Sequence, residues 1–377
     1  MKKILLFWIV LSTCFFYSQQ AEIPFIESRS IPLNYYADAY GTGYDLKTRL
    51  KEIIKQGHVP IGYKGLWNLY KSMSAFGDQW YENDGTVLDI YSEIPNGVDP
   101  YNYRFGVDQC GNYTKEGDCY NREHLIPQSV FYKKNPMLSD AFHIWPTDGK
   151  VNAMRSDYPF GRVANSKWVS KNGSQLGSNA NSGYSKGYNG VVFEPIDEFK
   201  GDIARAFFYF ATRYEDEISS WSFDMFNRTK NQVFTDTFRN ILLTWHVMDP
   251  VSDREIAMNE AIYSKQKNRN PYIDHPEWVE MVWGNNLKVE SFEYQPRDFL
   301  QIYPTLSSGT VYIKSNDYKS AIKKVMVFSL NGILLQTIVN SYNSDLLTIT
   351  IQKSGSYIIK VMGNDFEVNR KVIIPKK

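Results

Sequence analysis

The apolar pattern of this chain changes period once, and that change limits how it can fold. In DLKTRLKEIIKQ (45–56), Leu46, Leu50, Ile53 and Ile54 recur at helical spacing. Beyond Pro304 the pattern becomes short β segments at 310–314, 324–329, 334–340, 345–351, 356–362 and 366–374, separated by turn residues. The two patterns call for separate cores, and 377 residues exceed one typical domain. The expected architecture is an α+β domain with many helices over 21–295, followed by a small all-β sandwich over 303–377. Further helices are expected at 64–73, 201–218, 233–247, 252–267 and 271–283, with Ile203, Ala206, Phe207, Phe210 and Ala211 on one face of the third. Residues 86–91 and 101–106 read as strands. Residues 164–190, rich in Asn, Ser, Gly and Tyr, read as an irregular surface excursion beside a substrate channel.

The N-terminus sets the compartment. Lys2 and Lys3 precede an apolar run from Ile4 to Tyr17, shorter than the roughly 20 residues a membrane span needs. Residues 1–20 are therefore expected to be a cleaved secretory signal, and the chain to be secreted or held on the outer cell surface. Leu11-Ser12-Thr13-Cys14 loosely resembles a lipobox, with Thr13 a poor residue before the Cys. If Cys14 leaves with the signal, Cys110 and Cys119 remain, and an even pair in an exported chain reads as a disulfide. Their spacing fits neither a common metal motif nor a redox motif.

Charge is local. The whole chain carries +1, and residues 301–377 hold ten Lys/Arg against four Asp/Glu, which leaves 21–300 acidic. That is not the bulk signature of a nucleic-acid binder. Residues 122–171 differ, with eight Lys/Arg against four Asp/Glu, a local field suited to a phosphate-bearing substrate.

The chemistry concentrates in the same stretch. Asn121-Arg122-Glu123-His124 sets a carboxylate beside an imidazole, and FHIWPTDGKVNAMRSDYPFG (142–161) adds Asn152 and Arg155. A hard cation such as Mg²⁺ wants oxygen ligands, which Glu123 and Asn152 offer, and its other positions stay open for water and phosphate. His124 is suited to take a proton from an attacking water. Arg155, three residues after Asn152, lies on the same helical face and could hold a phosphate oxygen. Together these residues read as a metal-assisted phosphodiester hydrolase, Mn²⁺ or Ca²⁺ being possible substitutes for Mg²⁺. His143 and Arg122 are possible supporting residues, His143 also reading as a core histidine. His246 and His275 read as structural and His58 as a surface residue. Asp249, Asp253, Asp274 and Glu277 read as helix caps rather than a second metal site, and Arg205 and Arg213 as ion-pair partners of Asp202, Glu215 or Glu217.

YNREHLIPQSVF (120–131) and the 142–161 segment resemble the endonuclease I family of secreted bacterial nucleases. So do GDIARAFFYFATRY (201–214), the 245–283 segment and the CGNYTKEGDC loop, so that the resemblance spans most of 45–285. It implies a ββα-metal, or His-Me finger, core. It also implies cleavage of DNA, RNA or both without strong sequence preference, leaving 5′-phosphate and 3′-hydroxyl ends. His124 is implied as general base and Glu123 and Asn152 as Mg²⁺ ligands, while Arg155 matches a family arginine. No protein cofactor is evident. The rival expectation is a non-catalytic nucleic-acid-binding protein on an inactivated nuclease fold. YPTLSSGTVYI (303–313), FSLNGILLQT (328–337), SGSYIIKV (354–361) and the Lys-rich end resemble sorting domains of the type IX secretion system, which implies that machinery as a partner of 303–377.

Overall fold

The computed structural model describes residues 31–284, 300–303, 309–315, 322–329, 334–340, 346–363 and 367–374. The expected signal segment, most of the stretch between the two expected domains and Pro375-Lys376-Lys377 lie outside them. The chain divides into two compact units, Met1–Asn286 and Leu287–Lys377. Among the described residues no helix is long and apolar enough to cross a membrane.

The first unit opens with helix α1 (Gly43–Lys55), which buries Leu46, Leu50 and Ile54 on one stripe. The expected helix at 64–73 is two short ones, α2 (Gly65–Leu69) and α3 (Met73–Phe76). The segments 86–91 and 101–106 are not strands. Gly77 and Val87 form a lone bridge, and Val87 N–H donates to the Tyr103 carbonyl. Side-chain carboxylates take backbone donors in both segments: Asp89 Oδ1 accepts from Tyr91 N (2.9 Å) and Asp108 Oδ2 from Arg104 N (2.7 Å).

The central feature is an antiparallel hairpin of β1 (Tyr120–His124) and β2 (Ile144–Asp148), followed at once by α4 (Gly149–Arg155). Glu123 faces Trp145 and His124 faces Ile144 in its register. Asp148 starts the helix by accepting from Val151 N at 2.7 Å. Its other oxygen accepts from Tyr103 OH (2.6 Å) and Gly117 N (2.8 Å), which ties the hairpin to the loops before it.

The 164–190 excursion is irregular only in part: it holds β3 (Val163–Val169) and β4 (Gln175–Asn179), which with β5 (Val191–Glu194) just after it form a three-stranded antiparallel sheet. Two register shifts interrupt β3. A Cβ on Gly177 would lie 2.2 Å from the Asn165 carbonyl oxygen, so this position takes only glycine. The composition that suggested a loop here serves bulges and close strand approach.

Helix α5 (Lys200–Arg213) is buried along its whole length, not on one face. Its charges are paired: Arg205 with Glu255 (2.6 Å) and Asp202 (3.1 Å), and Asp202 also with Arg254. Around it follow α6 (Glu215–Ile218), α7 (Asp236–Met248), α8 (Asp253–Gln266), α9 (Pro271–Asp274) and α10 (Glu277–Trp283). Ser252, not Asp253, caps α8, in a capping box with Glu255. Asp249 accepts from Gly201 N in the first turn of α5 (2.7 Å). Asp274 is no cap; it pairs with Arg269 (2.6 Å). Arg213 meets His58 Nδ1 (3.3 Å) rather than an acid, so His58 is half-buried and partnered.

The second unit contains β6 (Leu300–Tyr303), β7 (Thr310–Ser315), β8 (Lys324–Ser329), β9 (Leu334–Val339), β10 (Leu346–Thr350), β11 (Gly355–Met362) and β12 (Glu367–Ile374). They form a three-stranded sheet, β10-β7-β6, and a four-stranded one, β12-β11-β8-β9. Val311, Ile313 and Ile349 of the first share a core with Val325, Val327, Ile359, Val361 and Val372 of the second. The whole chain is thus α+β, with an all-β C-terminal region.

Candidate active site

A cleft of about 390 Å³ opens over the hairpin and α4. Glu123, His124, Asn152, Arg155, Asn121 and Arg122 all line it, as does Cys110 at one edge. None of residues 164–190 does, so the expected channel wall is not there.

Strand alternation and the helix position these groups. Asn121 and Glu123 meet α4: Asn152 Nδ2 donates to Asn121 Oδ1 (2.7 Å), and Arg155 Nη1 lies 3.2 Å from Glu123 Oε1. Arg122 and His124 meet Tyr63 instead. The Arg122 guanidinium stacks 3.4 Å from the Tyr63 ring centre and 4.4 Å from that of Trp67, and the His124 ring lies 5.7 Å from Tyr63.

Glu123 is 1% exposed. Burial pushes its carboxyl above the usual range, opposed by Arg155 and by the Tyr91 hydroxyl, which donates to Oε1 at 3.0 Å. Both of these contacts fall on Oε1. The Asn152 amide is oriented by Asn121, and among the described residues nothing donates to its Oδ1. The cleft thus offers a carboxylate and an amide carbonyl, a hard-oxygen pair that suits a small divalent cation. The donor chemistry fits the metal-dependent family described above.

His124 is the basic group. Burial, then the charges of His143, Arg122 and Arg155, push its pKa down to about 3, so the imidazole is neutral near pH 7. A backbone hydrogen bond ties the ring to Arg122, and Nε2 is buried without a partner. A proton on Nδ1 therefore leaves the Nε2 lone pair open.

Arg155 is placed differently from the expectation of a phosphate holder. It is 1% exposed, and Nη1 and Nη2 donate to the carbonyls of His124 (2.8 Å) and Leu125. It fastens the end of α4 to the end of β1 and pairs with Glu123 on the way. Arg122 is the freer cation: only Nη1 is bonded among the described residues, to the Tyr63 carbonyl at 2.8 Å. His143 lies outside the cleft, fully buried, with Nε2 2.8 Å from the Met137 carbonyl and its ring against Phe131 and Phe210. His246 joins Arg205 to the Pro276 carbonyl, and His275 stacks on Trp278.

Cys110 and Cys119 form a disulfide. Tyr113 in the loop it closes packs on the start of α4, where a Cβ on Gly149 would meet the tyrosine ring at 2.4 Å. Tyr91, Asn121, Tyr63 and Trp67 are site residues that sequence reasoning missed. Asn121 alone carried a signal, by standing two residues before Glu123 on the same strand face.

Comparison with known proteins identifies the family. The endonuclease I family profile matches residues 42–277. The extracellular ribonuclease of Bacillus subtilis is 35% identical over 254 residues, covering 66% of this chain and 78% of that protein. The extracellular ribonuclease of Bacillus amyloliquefaciens is 33% identical over the same shares. Endonuclease-1 of Buchnera aphidicola is 24% identical over 135 residues, 36% of this chain and 44% of that one. The family match covers well over half of the chain and includes the entire hairpin, helix and cleft, so this chain belongs to the endonuclease I family and is a nuclease.

Proposed function

We propose that the chain is an exported, Mg²⁺-dependent endonuclease that hydrolyses phosphodiester bonds in DNA and/or RNA without strong sequence preference. The observation that supports this reading is a neutral His124, its buried Nε2 unpaired, lining the same cleft as the Glu123 carboxylate and the Asn152 amide. Glu123 and Asn152 would hold the ion, with Mn²⁺ or Ca²⁺ as possible substitutes. When bound, it supplies charge neutralisation at phosphorus and at the leaving oxygen. His124 Nε2 takes the proton of the attacking water, while the backbone contact with Arg122 keeps the ring oriented. Tyr91 and Arg155 hold Glu123 in place, and Asn121 turns the Asn152 carbonyl outward. Arg122, stacked on Tyr63 and Trp67, presents its remaining N–H groups to the substrate backbone. Arg155 serves in this reading as a positioning residue. An intact base and donor set favour catalysis over binding alone. Products are expected to carry 5′-phosphate and 3′-hydroxyl ends.

Two Bacillus relatives are named extracellular ribonucleases, which supports RNA among the substrates and an extracellular place of action. The N-terminal 1–20 segment is proposed as the export signal, and 303–377 as a type IX sorting domain on the strength of its motifs. Cleavage of matched duplex DNA, single-stranded DNA and RNA, with Mg²⁺ and with EDTA, tests the proposal. Metal-dependent endonucleolytic cutting of at least one polymer is expected. Cutting of all three at full rate in EDTA would contradict it.

A further inference from the structure

Apart from the cleft, the segment after α3 gathers three carboxylates. Asp78, Glu82 and Glu93 each offer an oxygen, and these oxygens all lie within 4.8 Å of one another. Two oxygens on opposite sides of a Ca²⁺ ion stand about 5 Å apart, so one ion can span the set.

Proximity of acids is common; their solvation here is not. Glu93 is 0% exposed, and both of its carboxylate oxygens are buried without a hydrogen-bond partner. Asp78 Oδ2 and Glu82 Oε2 are likewise buried and unpartnered. The backbone fixes this arrangement: Asp78 N donates to the Thr86 carbonyl, Glu93 N to that of Asp89, and the Glu93 carbonyl accepts from Asn172 Nδ2. Four desolvated oxygens facing no donor demand either shared protons or a cation.

We propose that Asp78, Glu82 and Glu93 form a second divalent-cation site, structural rather than catalytic, that takes Ca²⁺ in preference to Mg²⁺. Ca²⁺ accepts several protein oxygens in a flexible, largely dehydrated shell, whereas Mg²⁺ demands near-octahedral geometry and keeps its waters. Electrostatics agree with the geometry. Without a cation, burial and then the charges of Asp99, Glu82, Asp78 and Asp89 push Glu93 up to about 9. The site would anchor the segment that carries Tyr91, whose hydroxyl holds Glu123.

The test uses the full chain, stripped with chelator and returned to chelator-free buffer. Tb³⁺ is titrated with excitation of tryptophan, Trp80 lying between Asp78 and Glu82 in sequence, and melting is followed with added Ca²⁺ or Mg²⁺. Glu123→Gln, which removes the carboxylate proposed to hold the cleft ion, should keep saturable Tb³⁺ emission and a Ca²⁺-dependent rise in melting temperature. Adding Glu93→Gln should abolish both. Glu82→Gln, at the half-buried position, should weaken Tb³⁺ binding at least tenfold, and decides the matter if the Glu93 variant does not fold. Unchanged Tb³⁺ binding in the Glu82 and Glu93 variants would overturn the proposal. So would absence of Ca²⁺ stabilisation in Glu123→Gln, which would leave shared protons as the solution.

Discussion

Arg155, 1% exposed, holds two carbonyls and one carboxylate, so its charge organises the cleft from behind rather than facing substrate. Arg155→Met should leave Glu123 as an unpaired buried charge and cost roughly 3–5 kcal/mol in urea unfolding. Arg155→Lys should also destabilise, because a single ammonium cannot span both carbonyls. Normal stability of the lysine variant with a raised KM would instead mark Arg155 as a phosphate holder. Glu93 gives a second prediction at this scale. Its carboxyl, buried and faced by Asp99, Glu82, Asp78 and Asp89, is pushed up to about 9 when folded, well above the ordinary range of an exposed glutamate. The folded state therefore binds the extra proton across that window, and metal-free protein should lose stability as pH rises from about 5 to 8. Melting in EDTA should show this fall, and Glu93→Gln should flatten it; equal slopes would contradict the assignment. That Glu123, His124 and Asn152 belong to one place was legible in the sequence from residue type, and all three line the same cleft. The use of Arg155 was not, since helical spacing places it on the Asn152 face without saying that its fork turns back to β1.

Elements were legible where periodicity was strong and hidden where side chains competed with backbone. Helices α1, α5, α7 and α8 and the period-two strands of the second unit stand close to where the pattern put them. Segments 86–91 and 101–106 alternate like strands, yet Asp89 and Asp108 take N–H groups of Tyr91 and Arg104 that pairing needs. The hairpin that bears the site is poorly written. β1 is mostly polar, and β2 contains Pro146, tolerated because each strand of a two-stranded ribbon is an edge. Three supports hold that hairpin: the Asp148 cap, the Tyr70 hydroxyl on the Ile144 carbonyl, and the disulfide loop through Tyr113. Replacing Cys110 and Cys119 with Ser should cost about 2–3 kcal/mol by chain entropy. Cleavage should persist below the lowered melting transition, and an unchanged melting temperature would remove the disulfide as a support.

At the scale of the molecule, a nuclease unit and an all-β unit each have their own core. Deleting residues 303–377 should leave cleavage by the purified protein within about twofold, since every cleft-lining residue lies in the first unit. In cells the truncated chain should fail to leave, and normal secretion would remove the sorting role. The +4 stretch over 122–171 brings only Arg122 and Arg155 to the cleft, and Arg155 is committed to Glu123 and two carbonyls, so Arg122 carries the positive charge available there. The central claim is that His124 supplies the base in that place. Its most direct test is single-turnover cleavage by His124→Ala in saturating Mg²⁺, with nucleic-acid affinity measured on the same sample. A loss of at least about a hundredfold in rate is expected, with affinity kept within a few-fold. Cleavage at the rate of the unaltered protein would contradict it.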